Sequence, residues 1–251
     1  MRAIGLFGVL TFLVLGGCGG GGGDDGPSSG GSSTAVVNFS SFGATRVSAF
    51  SGHLTPPDPS TASLAFEFGP AVPPIGDGSG EWRVGADADS GQELRFEVLD
   101  GVLLADITRF GFWTREEAGS ATAAVNLSMR VDWNNDGIED DRIYFEPVYQ
   151  HLSLGVPDQG ALAMNTWQEW DALAGGWWSN NDPAFTPAAV GTLAAYIAAH
   201  PGTKVIHHTD GSGGTRLIAG YGAGAWDGFV GNADAFEVGI LGDVITFDLD
   251  P

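Results

Sequence analysis

The sequence predicts an all-β fold: a two-sheet, jelly-roll-type sandwich carrying one short surface helix at about 187–199. Three observations carry that prediction. Apolar residues recur mostly at every second position from residue 35 onward, the period of a half-buried strand. Forty glycines and thirteen prolines supply the turns that many short strands need. A hydrophobic content of 43%, with 11% aromatic residues, is ample for a packed core in 251 residues. No internal repeat of about 20 to 50 residues is visible, which disfavours a propeller or a solenoid.

The elements follow in order. AVVNFSSF (35–42), SLAFEFG (63–69), EWRVGA (81–86) and QELRFEVLDG (92–101) are short strand-type runs. TPPDPS, GPAVPPIGDGSG and DADSG break them with loop chemistry. ITRFGFWTR (107–115) places Phe110 and Phe112 on one face and Ile107 and Trp113 on the other. In AVNLSMRVDW (124–133), Val125, Leu127, Met129 and Val131 share a face, and RIYFEPVYQ (142–150) reads as the partner strand. TPAAVGTLAAYIAAHPG (186–202) is the helix: Thr186 as N-cap, Pro187 in the first position, and Val190, Leu193 and Ile197 as its apolar stripe. His200-Pro201-Gly202 ends it. KVIHHT, TRLIAGYG, FEVGI and VITFDLD then complete about ten to twelve strands.

Upstream of this domain the chain is different. Arg2 followed by the apolar run Ile4 to Leu15 has the form of a signal peptide. Leu15-Gly16-Gly17-Cys18 resembles the lipobox of bacterial lipoproteins, which implies that residues 1–18 are a lipoprotein signal peptide and that Cys18 is lipidated. Cys18 is the only cysteine, so no intrachain disulfide can form. Acyl chains there would anchor the protein, each buried CH₂ contributing about 0.8 kcal/mol. Gly19, rather than aspartate, follows the cysteine; in diderm lipoproteins that resemblance implies the outer membrane of the cell envelope. Residues 19–34, GGGGGDDGPSSGGSST, read as a Gly/Ser-rich tether with a span of roughly 20 to 24 Å, leaving 35–251 as the β-sandwich domain.

Acidic residues outnumber basic ones 31 to 10, for a net charge of −21. That excludes nucleic acid as an expected partner, since phosphate binding requires a basic footprint. Four stretches, FEFGPAVPPIGDGSGEWRV, MRVDWNNDGIEDDRIYFEP, TWQEWDALAGGWW and AGAWDGFVGNADAFEVGILGDVITFDLD, look like those of secreted bacterial jelly-roll or laminin-G-like β-sandwich domains. The resemblance implies a binding fold of the carbohydrate-binding kind and supplies no catalytic motif.

VDWNNDGIEDDR (131–142) is the candidate ion site. Asp132, Asn134, Asp136 and Asp140 place oxygens at spacings that can converge on Ca²⁺, with the Ile138 carbonyl as a further ligand and Gly137 allowing the turn. The pattern resembles the loops of EF-hands, dockerins and thrombospondin type 3 repeats. It departs from the EF-hand at the twelfth position, where Ile143 stands in place of a bidentate glutamate. A structural Ca²⁺ of modest affinity is one expectation. A plain hairpin loop built on Asp136-Gly137 is the other. Glu139 and Asp141 are expected to point outward.

WWSNND supplies the candidate ligand site: Trp177 and Trp178 for stacking on sugar rings, with Asn180, Asn181 and Asp182 for hydroxyls. Adjacent residues of an extended segment face opposite ways, so at most one of the two tryptophans is free to stack. Trp167 and Trp170 are expected to pack, and Trp226 and Phe229 to plug one end of the sandwich. Catalysis finds little support. There is no HExxH, no GxSxG and no phosphate loop, GSGG (211–214) lacks the lysine of a phosphate cradle, and Glu116-Glu117 are expected side by side in a loop. His207 and His208, neighbours on a strand, point to opposite sides. The expectation is a lipid-anchored envelope binding module for glycan or envelope proteins, not an enzyme. A structural lipoprotein without a small ligand and a glycan-active enzyme are the alternatives.

Overall fold

The structure, a computed structural model, describes residues 31–54, 60–87, 89–207, 214–222 and 224–251. The expectations for the signal peptide, for Cys18, for the tether up to residue 30 and for His208 lie outside these residues. In chain order the strands are β1 (Ser32–Val36), β2 (Val47–His53), β3 (Ser63–Phe68), β4 (Gly78–Arg83), β5 (Ser90–Phe96), β6 (Ile107–Ala118), β7 (Asn126–Asp132) and β8 (Asp141–Phe145). Then come β9 (Gln168–Asp171), β10 (Gly176–Ser179), β11 (Gly191–Thr192), the helix α1 (Leu193–Ala199), β12 (Lys204–Val205), β13 (Thr215–Gly220), β14 (Val230–Ile240) and β15 (Asp243–Asp248).

These strands form the all-β, two-sheet sandwich that the alternating sequence predicts. The first sheet has seven strands and is organised by β14, which pairs with β6 along one edge. Its other edge is shared: β4 takes Val230 to Ala233 and β15 takes Phe236 to Ile240. The handover falls at an irregularity between Asp234 and Glu237, where Ala235 adopts a φ of 46°. Asp234 bridges the gap there, accepting from the amides of Leu249 at 3.0 Å and Ile75 at 3.3 Å. The second sheet has eight strands in the order β11-β10-β8-β7-β13-β5-β2, with β12 on β7.

The alternation has a direct consequence for packing. Leu127, Met129 and Val131 of β7, Leu94 and Phe96 of β5, and Leu217 of β13 all turn inward and are fully buried. They meet Phe110, Phe112, Phe236 and Phe247 from the first sheet, with Phe96 lying 4.5 Å from Phe236 and 5.0 Å from Phe247. Rings at these separations, tilted or edge-on, gain electrostatic as well as apolar energy. Ile107, expected opposite Phe110, is also buried, at the start of β6.

Several boundaries differ from expectation, each for a physical reason. The helix begins at Leu193, not Pro187. Thr186 instead closes a tight turn with Ala189, and Gly191 and Thr192 pair with Trp177 and Gly176 as a strand. A Cβ at Gly191 would stand 2.4 Å from the Phe185 ring, so the glycine is where that ring packs. Thr192, rather than Thr186, is the N-cap, accepting from the Ala195 amide at 3.2 Å. Residues 39–44 are turns because the Asn38 side chain captures the amides of Ser40 and Ser41. Ser32 to Thr34, expected in the tether, pair in parallel with Val244 to Thr246, since a ladder needs only backbone groups. Glu116 and Glu117 lie in β6, not in a loop.

Candidate functional site

Two features predicted from the sequence lie side by side at one end of the second sheet: the 132–140 loop, which joins β7 to β8, and the segment that follows β10. The loop is folded by its own side chains. Asp132 accepts from the amides of Asn134 (3.1 Å), Asn135 (2.6 Å) and Gly137 (2.8 Å). Asn134 accepts from Asp136 N and Asp136 from Ile138 N, each at 2.9 Å. Asp140 accepts from Trp133 N at 2.7 Å. Asn135 and Gly137 take the left-handed conformation, with φ of 61° and 84°. The Asn135 amide fixes the loop to its surroundings through the Gly202 carbonyl at 3.0 Å.

This all-oxygen set is right in kind for Ca²⁺, because each oxygen that accepts one amide retains a second lone pair. Against it, Lys204 lines the same shallow cavity of about 200 Å³ as Asp132, Asn135 and Gly137, bringing a competing positive charge to the loop. Among the described residues, no group of three or more His, Cys, Asp or Glu side chains is gathered as a metal site.

Asp141 is where the structure departs furthest from expectation. Far from pointing outward, it is fully buried. One oxygen accepts from the Tyr196 hydroxyl at 2.7 Å and from Ser179 Oγ, and the other from the amides of Arg142 (2.7 Å) and Asn181 (3.0 Å). Tyr196 in turn accepts from Trp133 Nε1 at 2.7 Å, and burial together with Asp141 pushes its hydroxyl well above the ordinary tyrosine range. The Trp133 ring stacks on His200 at 4.2 Å, and His200 Nε2 lies 2.7 Å from Asp182 Oδ2. Loop, β10 and α1 are thus one hydrogen-bonded unit. The period-two alternation of Asp141 with Ile143 and Phe145 was the signal that could have placed it inside. Glu139 is also engaged, 2.7 Å from Arg130 and 3.5 Å from Arg142.

The proposed ligand residues separate. Trp177 is a correction: it is fully buried, stacked parallel to Phe110 at 5.9 Å, with its Nε1 donating to the Ala172 carbonyl at 2.8 Å, so it cannot meet a ligand. Trp178, one residue on, turns to the outer face of the sheet and is half-buried. It stacks on Tyr144 with centroids 4.3 Å apart and planes within 13°, and its Nε1 donates to Glu146 at 2.8 Å. Burial raises the Glu146 carboxyl, which Trp178 partly offsets. Asn180 is exposed beside this pair. Asn181 is turned back to the loop, donating to the Asp140 carbonyl at 2.6 Å. Asp182 is held by the Ala184 amide and by His200, which keep its carboxyl below the usual range.

Trp167, Trp170 and Trp226 are engaged within the fold. Trp170 is fully buried and donates to Thr114, Trp167 donates to the Pro70 carbonyl, and Trp226 packs edge-on against Phe229. Fold and site together define an all-β two-sheet sandwich with a half-exposed aromatic pair on one outer face. Compared with known proteins, the chain matches no family model, no curated protein and no solved structure. Among the described residues no helix is long and apolar enough to cross a membrane.

Proposed function

We propose that the chain is a non-enzymatic binding module of the bacterial cell envelope, anchored by lipid on Cys18 at the outer membrane, and that its ligand is a glycan. The observation that carries the binding reading is the Trp178–Tyr144 pair. Trp178, stacked face to face on Tyr144 and half-buried on the outer face of a sheet, leaves part of its indole open, an apolar aromatic surface of the kind a sugar ring stacks on. The bond from Trp178 Nε1 to Glu146 fixes the indole in place, so little side-chain freedom is lost on binding. Asn180, exposed next to it, is available for hydroxyls. The 132–140 loop takes a structural Ca²⁺ through the remaining lone pairs of Asp132 Oδ2, Asn134, Asp136 and Asp140 and the Ile138 carbonyl.

The binding test is titration of the full chain with a series of soluble polysaccharides, for the wild type, Trp178→Ala and Trp167→Ala. Loss of at least tenfold in affinity for Trp178→Ala, with Trp167→Ala unchanged, is the expected result. Equal binding by all three chains, or none by any, would overturn the glycan reading in favour of a structural envelope protein. Metabolic labelling with a fatty acid tests the anchor: label on the wild type and none on Cys18→Ala is expected.

A further inference from the structure

The outer face of the second sheet gathers positive charge in a chain that has very little of it. A single cross-strand row runs Trp178–Tyr144–Ser128–Arg216–Arg95–Ser48 over six strands. Arg142 and Arg130 pair with each other in the next row. Side chains directly opposite on neighbouring strands share a face, so four of the chain's ten basic residues lie together here. The carboxylates facing them are Glu93, bonded to Arg95 at 2.6 Å and Arg216 at 3.1 Å, and Glu139, which serves Arg130 and Arg142. Glu146 lies beyond Trp178, and at the opposite end Arg46 and Glu97 pair at 3.5 Å, with His207 3.2 Å from Glu97.

The hydrogen bonds of this face do not close. Arg216 is fully buried, yet among the described residues its Nε and Nη2 have no acceptor. Arg130 Nε, Arg142 Nε and the hydroxyl of the fully buried Ser128 are likewise buried without a partner. All of these groups can donate, and the guanidinium nitrogens can do nothing else. Buried donors left unpaired are destabilising, more so when charged. Burial, opposed by Glu93 but reinforced by Arg142 and Arg130, also holds the Arg216 guanidinium below its usual range. Among the described residues, Glu93 and Glu139 leave these donors without an acceptor. The face is open on one side: the Arg142 and Arg130 side chains are 28% and 16% exposed, next to the Trp178–Tyr144 platform.

We propose that this face binds an oxyanion carried on a sugar ring, the carboxylate of a uronate or a sulfate ester, with the ring on the open surface of Trp178 and the oxyanion on Arg142 and Arg130, in front of the buried Arg216. The inference rests on the glycan reading of Trp178 and adds to it the charge of the ligand. Planar guanidinium forks match the paired oxygens of such anions, which a neutral sugar cannot supply. It also reconciles an acidic protein with an acidic ligand: a general surface attraction is excluded by the net charge of −21, so binding must be local to this row.

The test uses the full chain with four polymers: polygalacturonate, its fully methyl-esterified form, dextran sulfate and unmodified dextran. Isothermal titration is run on the wild type, Arg142→Gln, Arg130→Gln and Trp178→Ala. At least tenfold tighter binding of polygalacturonate than of its ester, or of dextran sulfate than of dextran, is expected, and which pair discriminates identifies the anion. Each arginine variant is expected to lose that discrimination while retaining the wild-type melting midpoint. Equal binding of charged and neutral forms overturns the oxyanion site and leaves the glycan reading intact. Discrimination that survives in both arginine variants also overturns it. No binding of any polymer overturns both.

Discussion

The hydroxyl of Tyr196 donates to the carboxylate of Asp141 at 2.7 Å, 55 residues away in sequence and fully buried. Through that contact the helix α1 holds the start of β8, and with it the end of the 132–140 loop. Tyr196→Phe removes the donor to Asp141 and the acceptor of Trp133 Nε1 together. It is expected to lower stability by about 1–3 kcal/mol, since both partners are left short of one bond and Asp141 is fully buried. Urea unfolding measures it, and a change below about half a kcal/mol would count against the hub.

The two adjacent tryptophans should behave in opposite ways. Trp177→Ala empties a site between Phe110 and Phe145 and is expected to destabilise the fold by about 3–5 kcal/mol. Trp178→Ala, on the outer face, should cost about 1 kcal/mol or less and act on ligand affinity instead. Thermal melts of both variants separate the roles.

The loop yields an ion prediction. With a dissociation constant of about 10⁻⁴ to 10⁻³ M, as for extracellular calcium modules, 10 mM Ca²⁺ would stabilise the fold by roughly 1.4–2.7 kcal/mol. The expected outcome is a rise in melting midpoint with Ca²⁺ but not Mg²⁺, reversed by EDTA and lost in Asp132→Ala/Asp136→Ala. An unchanged midpoint would mean that the loop's own amide bonds are its whole structure.

Glu116 carries a pH dependence. It is buried in β6, and burial, partly offset by Thr114 and Arg115, pushes its carboxyl up to about 7. The folded chain therefore binds a proton that the unfolded chain releases near pH 4 to 5. This group's contribution is complete below that range and is lost as pH rises toward 7, by about 3 kcal/mol. Asp234, also raised to about 7 by burial, acts in the same direction. Glu116→Gln should flatten part of the slope between pH 5 and 7, read from urea midpoints at several pH values.

The strands β3, β6, β7 and β8 were legible because alternation sorts side chains between core and outer face, and Val125, Leu127, Met129 and Val131 do turn inward together; β4 and β5 begin earlier than expected, at Gly78 and Ser90, inside stretches whose glycines read as loop. The same rule predicted that Trp177 and Trp178 would part company. It could not say which of them goes inside, because that depends on Phe110 and Phe145 arriving from other strands. Strands such as β9, β10 and β11 escaped notice because they are two to four residues long, too short for a period to declare itself.

What the sequence determined by itself was local: the two-residue period, the turn chemistry, and the oxygen spacing from Asp132 to Asp140. Only the tertiary structure decided the rest. It buried Asp141 under Tyr196, and it handed the N-cap to Thr192 because Gly191 was already paired in β11 beneath Phe185. It also brought Arg95, Arg130, Arg142 and Arg216 from four strands onto one face. The Asp141–Tyr196 contact and the arginine row join residues far apart in the chain, and such contacts are set by sheet order and register, which no short stretch of sequence contains.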